Sequence, residues 1–158
     1  MMLDIFVLLM DSDPMIKQQD ERPQIMSRPA RPPVPSSRPR ILIVEDDANT
    51  RWVLCTLMRR FGYDCEVASN GLEALDLVPS FEPQVILMDL MMPILDGLET
   101  TRRLKADSKT RAIPVLALTG NVTLHGMSSA QLAGCNDCFP KPIVLENLLS
   151  FLRRHLEA

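Results

Sequence analysis

Hydrophobic and polar positions from residue 40 onward follow two alternating periods, which predict a series of strands and helices. Short apolar runs rich in β-branched residues predict strands buried on both faces, and stripes at helical spacing predict amphipathic helices. The predicted strands cover residues 41–44, 63–68, 85–88, 113–118 and 137–139, and the predicted helices cover residues 53–61, 71–78, 98–105, 122–133 and 145–156. Five such units predict an α/β fold, a doubly wound five-stranded parallel sheet with helices on both faces.

The helical stripes also predict which residues face the core. They consist of Val53, Leu54, Leu57, Met58 and Phe61 in the first helix, Leu72 and Leu75 in the second, and Leu145, Leu148, Leu149, Leu152 and Leu156 in the last. The helix at residues 98–105 is amphipathic with its charged residues outside, and the pattern at residues 122–133 predicts a weaker helix.

The first 39 residues have a different composition, which predicts a disordered, Pro/Arg-rich N-terminal leader before a domain at residues 40–158. They hold 7 of the 13 prolines and none of the 6 glycines. Proline removes backbone donors and favours extended conformers. An SH3-type ligand at residues 31–35 is a lesser alternative. The apolar first ten residues resemble a signal-peptide core interrupted by Asp4, and a start at Met26 is an alternative interpretation.

Deletion of residues 1–38 is expected to leave the melting temperature of the domain nearly unchanged, because so proline-rich a segment contributes little to a packed core. Thermal melts of the full chain and the shortened chain, followed by circular dichroism, measure the difference. A loss of several degrees would mean that the apolar first ten residues pack against the domain.

Composition and charge exclude several function classes. The chain has 158 residues and a net charge of −3, so it lacks the broad positive field of a nucleic-acid-binding protein. No apolar run approaches the roughly 20 residues of a membrane-spanning helix. Four cysteines are too few for a disulfide scaffold, which favours a reducing, cytoplasmic location.

Polar side chains follow four of the five predicted strands, at the edge where parallel strands end. Glu45 and Asp46 follow the first strand, Asp89 the third, Thr119 the fourth and Lys141 the fifth. The carboxyl ends of parallel strands meet at one edge of the sheet, so we expect these groups to converge on one crevice. Ordinary helix caps and loop charges are the alternative for any one of them, but not for all five together.

This set of groups has a chemical interpretation. Clustered carboxylates repel one another, and Mg²⁺ prefers oxygen ligands, so the sequence predicts a magnesium site. A carboxylate beside a metal ion and a lysine can accept a phosphoryl group, because the cations neutralise charge on the transferring oxygens. The hydroxyl of Thr119 can hydrogen-bond to that group once it is attached.

Four sequence motifs together resemble the CheY-like receiver domain of two-component response regulators. In chain order they read ILIVEDDANTR, VILMDLMMPILDG, VLALTG and GCNDCFPKPI. The resemblance covers residues 40–158. It implies the flavodoxin-like (βα)5 fold with strand order 2-1-3-4-5.

The resemblance also implies roles for individual residues. Asp89 matches the phosphorylated aspartate. Asp46 matches a direct Mg²⁺ ligand, Glu45 a ligand that acts through water, and the backbone carbonyl of Met91 the third protein ligand. Asp47 lies one residue beyond the acidic pair and is expected to cap the first helix.

The switch residues match the family only in part. Thr119 and Lys141 match its catalytic threonine and lysine, and the bond from Lys141 to the next proline is usually cis in the family. The second switch position, usually Tyr or Phe, holds Cys138, while Phe139 points to the opposite face of the strand. We therefore expect phosphorylation to act mainly through Thr119.

The function implied is that of a phosphorelay response regulator. A phosphohistidine of a sensor histidine kinase or a histidine phosphotransfer protein donates the phosphoryl group. The signal then passes to a protein target through the face formed by the fourth helix, fifth strand and fifth helix. The chain is expected to catalyse only its own phosphorylation and dephosphorylation, to bind no nucleic acid and, ending at Ala158, to carry no output domain.

Three alternatives come from other protein classes. The chain could be the receiver segment of a larger hybrid histidine kinase, with the same chemistry. A phosphohydrolase with an aspartyl nucleophile usually has a second Asp two residues later, where this chain has Met91. A nucleotide-binding domain would need a glycine-rich loop where the chain has Glu45, Asp46 and Asp47.

Cys135 and Cys138 form a CxxC motif that could bind zinc or act as a redox dithiol. A structural zinc site needs four ligands, and neither a second pair nor a nearby His accompanies the motif. Packing of two small apolar side chains is therefore the favoured interpretation.

Overall fold

A computed structural model describes residues 37–120 and 124–157, in which five strands form one parallel sheet. The strands are β1 (Arg40–Val44), β2 (Asp64–Ala68), β3 (Val85–Asp89), β4 (Val115–Thr119) and β5 (Asp137–Pro140). Their order is β2-β1-β3-β4-β5 and every neighbouring pair is parallel. The predicted doubly wound fold and its strand order are confirmed.

Helices follow the strands in regular alternation. They are α1 (Ala48–Arg60), α2 (Gly71–Phe81), α3 (Gly97–Ala106), α4 (Leu124–Ala133) and α5 (Leu145–Leu156). The side chains of Asp47, Asn70 and Asp96 each accept a hydrogen bond from the backbone N–H three residues later, which fixes where α1, α2 and α3 begin. The predicted cap role of Asp47 is confirmed.

The core lies on both faces of the sheet, because successive strand residues point in opposite directions. One layer joins the sheet to α2 and α3 and includes Leu42, Val44, Ala74, Val78, Ile86, Met88 and Leu104. On α1 and α5 the buried apolar residues are Leu54, Cys55, Leu57, Met58, Leu148, Phe151 and Leu152. Both faces of β3 and β4 are buried, as their unbroken apolar sequences predict.

Two residues predicted to face the core are exposed instead. Phe61 and Leu72 each keep 46% of their surface accessible. Phe61 follows the last residue of α1, so the helical period no longer sets its direction. The buried residues of α2 are Gly71, Ala74 and Val78, and Leu72 lies off that stripe.

Element boundaries also differ from the prediction. The second helix, predicted to stop at residue 78, continues through Pro79 to Phe81 and ends at Glu82 in the left-handed region. A proline in the last turn forfeits one hydrogen bond, but its fixed φ is helical. On α5 the largest fully buried side chain is Phe151, which the leucine stripe overlooked.

The predictions for residues 1–36 lie outside the described residues, as do those for residues 121–123 at the start of the fourth predicted helix. These include the leader, the SH3-type motif and the start at Met26. Across residues 37–120 and 124–157, no helix is both long and apolar enough to span a membrane.

Candidate functional site

The structure brings the predicted polar residues together at the carboxyl edge of the sheet. Glu45 directly follows β1, Asp89 and Thr119 are the last residues of β3 and β4, and Lys141 directly follows β5. The backbone N–H of Lys141 donates to the carbonyl of Thr119 at 2.8 Å, which holds the end of β5 beside β4. The positions of these residues therefore follow from strand length and register.

Three carboxylates form a cluster at this edge. Glu45, Asp46 and Asp89 each offer an oxygen within 4.8 Å of the others. Glu45 is 1% exposed and Asp89 3% exposed, whereas Asp46 lies at the surface. The cluster thus combines two buried carboxylates with one that faces solvent.

Lys141 lies between the two buried carboxylates. Its Nζ is 2.6 Å from Oε2 of Glu45 and 3.3 Å from Oδ2 of Asp89. The second oxygen of each carboxylate accepts a backbone N–H, Oε1 of Glu45 from Asp47 at 3.2 Å and Oδ1 of Asp89 from Met91 at 3.1 Å. Each buried carboxylate is therefore fixed by a cation and by an amide of its own loop.

Burial and the neighbouring charges shift the pKa values of Lys141 and Glu45. Burial lowers the pKa of Lys141, but its hydrogen bond to Glu45 and the charge of Asp89 outweigh burial and raise that pKa overall. Burial also raises the pKa of Glu45, and the nearby charge of Asp89 adds to the rise although Lys141 opposes it. Lys141 is therefore held in its charged form beside the carboxylates.

The donor set fits a hard divalent cation. All three side chains offer oxygen, which is the ligand type that Mg²⁺ prefers, and the exposed Asp46 leaves the ion room to keep several waters.

The two predicted switch positions lie on neighbouring strands but at different levels of the sheet. Thr119 is buried at the end of β4. Cys138 pairs with Ala117 in the sheet and packs against a small cluster that includes Leu90 and Ala130. The ring of the next residue, Phe139, packs edge-on against Phe151 with the ring centroids 6.2 Å apart.

One residue that supports the site was overlooked in the sequence. A Cβ added at Gly97 would overlap the carbonyl oxygen of Asp89 and lie 2.8 Å from the Cα of Leu90. Gly97 begins α3, and its N–H donates to the carbonyl of Leu90 at 3.2 Å. The absence of a side chain therefore lets α3 begin directly against the end of β3. The Asp-Gly pair in the second motif is the sequence signal for this close approach.

The CxxC cysteines are free thiols in a packed setting. Cys135 Sγ donates to the hydroxyl of Thr101 at 3.8 Å. Burial raises the pKa of both Cys135 and Cys138. Within the described part of the chain, the acidic cluster is the one group of three or more candidate metal ligands. These observations favour packing over a metal site.

Comparison with known sequences supports a specific family. Residues 41–153 match the family model of the response regulator receiver domain. The response regulator MprA of Mycobacterium sp. strain KMS is 40% identical over 114 residues, which are 72% of this chain and 49% of that protein. The chain thus spans about half the length of the curated relatives it matches.

Solved structures agree with the sequence comparison. The chemotaxis protein CheY4 of Vibrio cholerae has a TM-score of 0.71 at 28% identity, over 76% of this chain and 100% of that one. The receiver domain of a Pseudomonas aeruginosa sensor histidine kinase, with a magnesium ion in its active site cleft, has a TM-score of 0.72 at 30% identity, over 77% and 100%. A chain from the Saccharomyces cerevisiae complex of the phosphotransfer protein Ypd1 with the receiver domain of Ssk1 has a TM-score of 0.70 at 26% identity, over 75% and 88%.

Proposed function

This chain belongs to the response regulator receiver family, and from that membership we propose that Asp89 accepts a phosphoryl group from a phosphohistidine. The donor is a sensor histidine kinase or a histidine phosphotransfer protein, a proposal consistent with the similarity to the Ypd1–Ssk1 complex. The chain catalyses its own phosphorylation and dephosphorylation and turns over no separate substrate.

The observation that carries this proposal is the position of Lys141. Its ammonium contacts both Asp89 and Glu45, so a fixed positive charge stands beside the carboxylate that would react. In the reaction, an Asp89 oxygen attacks phosphorus, the bond from phosphorus to the donor imidazole breaks, and the imidazole nitrogen keeps the electron pair. Lys141 offsets negative charge on the transferring oxygens, and the Thr119 hydroxyl binds one of them after transfer.

A magnesium ion completes the proposed site. Asp46, Asp89 and the carbonyl of Met91 would hold it, with Glu45 acting through water. When bound, the ion neutralises charge on the transferring phosphoryl oxygens. The magnesium reported for the Pseudomonas aeruginosa receiver domain supports this cofactor for the present chain.

Acetyl phosphate tests the proposal without a cognate kinase. The full chain is expected to gain the mass of one phosphoryl group when it is incubated with acetyl phosphate and Mg²⁺. A chelator added in excess of Mg²⁺ should prevent the gain, because the clustered carboxylates then repel the incoming phosphate. Intact-mass spectrometry measures both results, and labelling that is equally fast with chelator would contradict the metal requirement.

We expect the conformational change caused by phosphorylation to be transmitted to the target-binding face mainly through Thr119. Cys138 has far less surface to move than a Tyr or Phe ring, so the conformational change should be modest. Beryllofluoride with Mg²⁺ is the phosphoryl mimic, and amide chemical shifts of Cys138 and Phe139 are the readout. In Thr119→Ala, the change in these chemical shifts upon adding beryllofluoride should fall by more than about half. In Thr119→Ser, which keeps the hydroxyl, the change should be retained. A full change in Thr119→Ala would mean that another element carries the switch.

Two contexts fit this chemistry equally. The chain acts either as a response regulator that signals through protein contact or as the receiver segment of a hybrid histidine kinase. Similarity to the receiver domain of a sensor histidine kinase makes the second context a real candidate. A phosphotransfer screen against candidate kinases distinguishes them, because a hybrid segment should accept phosphate fastest from its own kinase core.

A further inference from the structure

A side chain of the first helix reaches back to the loop that carries the acidic pair. Arg51 lies in the first turn of α1 and is half-buried. Its Nη1 donates to the carbonyl oxygen of Glu45 at 2.7 Å and to that of Asp46 at 3.1 Å. A guanidinium Nη carries two hydrogens, so one nitrogen can hold both carbonyls at once. The proposed phosphoryl-transfer chemistry assigns no role to Arg51.

The two carbonyls that Arg51 holds are those on either side of Asp46. They belong to the peptide groups that flank the Cα of Asp46, and each peptide group is planar. Holding both groups therefore restricts φ and ψ of Asp46, and with them the direction of its Cβ. Lys141 and loop amides fix the two buried carboxylates, whereas the carboxylate of Asp46 lies at the surface. The direction of the Asp46 side chain thus depends on the backbone that carries it.

We propose that Arg51 is a positioning residue that orients Asp46 as a ligand for Mg²⁺, an inference that rests on the proposed function of the site. Arg51 acts by holding the two peptide groups that flank Asp46, and its guanidinium touches neither the ion nor the phosphoryl group. Residues that orient metal ligands typically change metal affinity by roughly 10–100-fold when they are replaced.

A second role for Arg51, neutralising the charge of the acidic cluster, predicts the opposite result when the arginine is replaced. Removing a nearby positive charge leaves the site more negative, so a cation should bind more tightly. Removing the hydrogen bonds frees the backbone of Asp46, so the ion should bind more weakly. The contacts favour the positioning role, because Nη1 of Arg51 donates to carbonyl oxygens, while Lys141 is the cation that contacts the buried carboxylates.

Arg51→Met tests the proposal on the full chain. Methionine keeps an apolar stem and a good helix propensity but makes no hydrogen bond to the carbonyls. We expect the Kd for Mg²⁺ to rise roughly tenfold, measured from amide chemical shifts during titration with magnesium chloride and no phosphodonor. Labelling by acetyl phosphate should be slow at low Mg²⁺ and approach the parent rate at saturating Mg²⁺, because Asp89 and Lys141 are unchanged.

Arg60→Met is the matched control. It removes the same charge from an exposed position at the end of α1, about 14 Å further along the helix axis, where salt screens its effect on the site. Its Kd for Mg²⁺ should stay within about twofold of the parent value. Thermal melts check the fold of each variant. Arg51→Gln, whose side chain is too short to hold both carbonyls, replaces Arg51→Met if methionine prevents folding.

Hydrogen exchange tests the same role without metal. The amide of Asp47 shares a peptide group with the carbonyl of Asp46 and donates to Oε1 of Glu45 at 3.2 Å. In excess chelator, this amide should exchange several-fold faster in Arg51→Met than in the parent. The proposal is wrong if folded Arg51→Met binds Mg²⁺ as tightly as the parent or more tightly. A parent chain that bound no Mg²⁺ would contradict the proposed metal site instead, and unchanged exchange at Asp47 would then refute the role of Arg51.

Discussion

Asp89→Asn is expected to reduce phosphoryl uptake from one group per chain to none. The amide keeps the shape of the carboxylate and can still accept the N–H of Met91, which the carboxylate now accepts at 3.1 Å. It lacks the negative oxygen that attacks phosphorus, so the reaction loses its nucleophile while the loop keeps its geometry. Intact-mass spectrometry after incubation with acetyl phosphate and Mg²⁺ measures the change.

Asp47→Asn is the matched control for this experiment. Asp47 is a neighbouring acidic residue that caps α1, and asparagine caps a helix about as well as aspartate. This variant should therefore fold and take up one phosphoryl group. Undiminished labelling of Asp89→Asn would refute the assignment of Asp89, and loss of labelling in both variants would point to general damage at the site.

Gly97→Ala is expected to cost about 3 kcal/mol of unfolding free energy and to lower the melting temperature by roughly 10 °C. The added methyl group would overlap the carbonyl oxygen of Asp89 and press on the Cα of Leu90. These are backbone atoms, so no side chain can rotate away, and either the end of β3 or the start of α3 must move. Because Asp89 is attached to the displaced carbonyl, labelling by acetyl phosphate should also slow.

Gly120→Ala tests whether the effect belongs to the position or to glycine in general. A Cβ at Gly120 would meet nothing within 4 Å, so this variant should melt within a few degrees of the parent. Urea titration and thermal melts of the two variants give the comparison. A Gly97→Ala chain as stable as Gly120→Ala would show that α3 can shift freely away from β3.

The sequence predicts the sheet because strand burial is a local property. Apolar runs such as those of β3 and β4 are typical of strands that are buried on both faces. The end of each run in the sequence then marks the end of the strand and the polar residue found there. This is why Asp89, Thr119 and Lys141 could be assigned to one crevice without coordinates. Their mutual distances depend on register and loop path, which no short stretch of sequence specifies.

The failures of prediction concern contacts between elements. Exposure of Phe61 and Leu72 depends on which side of a helix meets the sheet and on where that helix ends. A CxxC spacing draws attention to Cys135 and Cys138 although their surroundings favour packing.

The partial burial of β5 has a consequence for local unfolding. Its residues are only partly covered, whereas β3 and β4 are buried along their whole length. Segments with few buried contacts open at lower free energy than the global transition. In native-state hydrogen exchange, we therefore expect the amides of β5 to exchange through sub-global opening and those of β3 and β4 only through complete unfolding. The strand that carries Cys138 and leads to Lys141 would then be a separate cooperative unit, able to rearrange while the central strands stay closed.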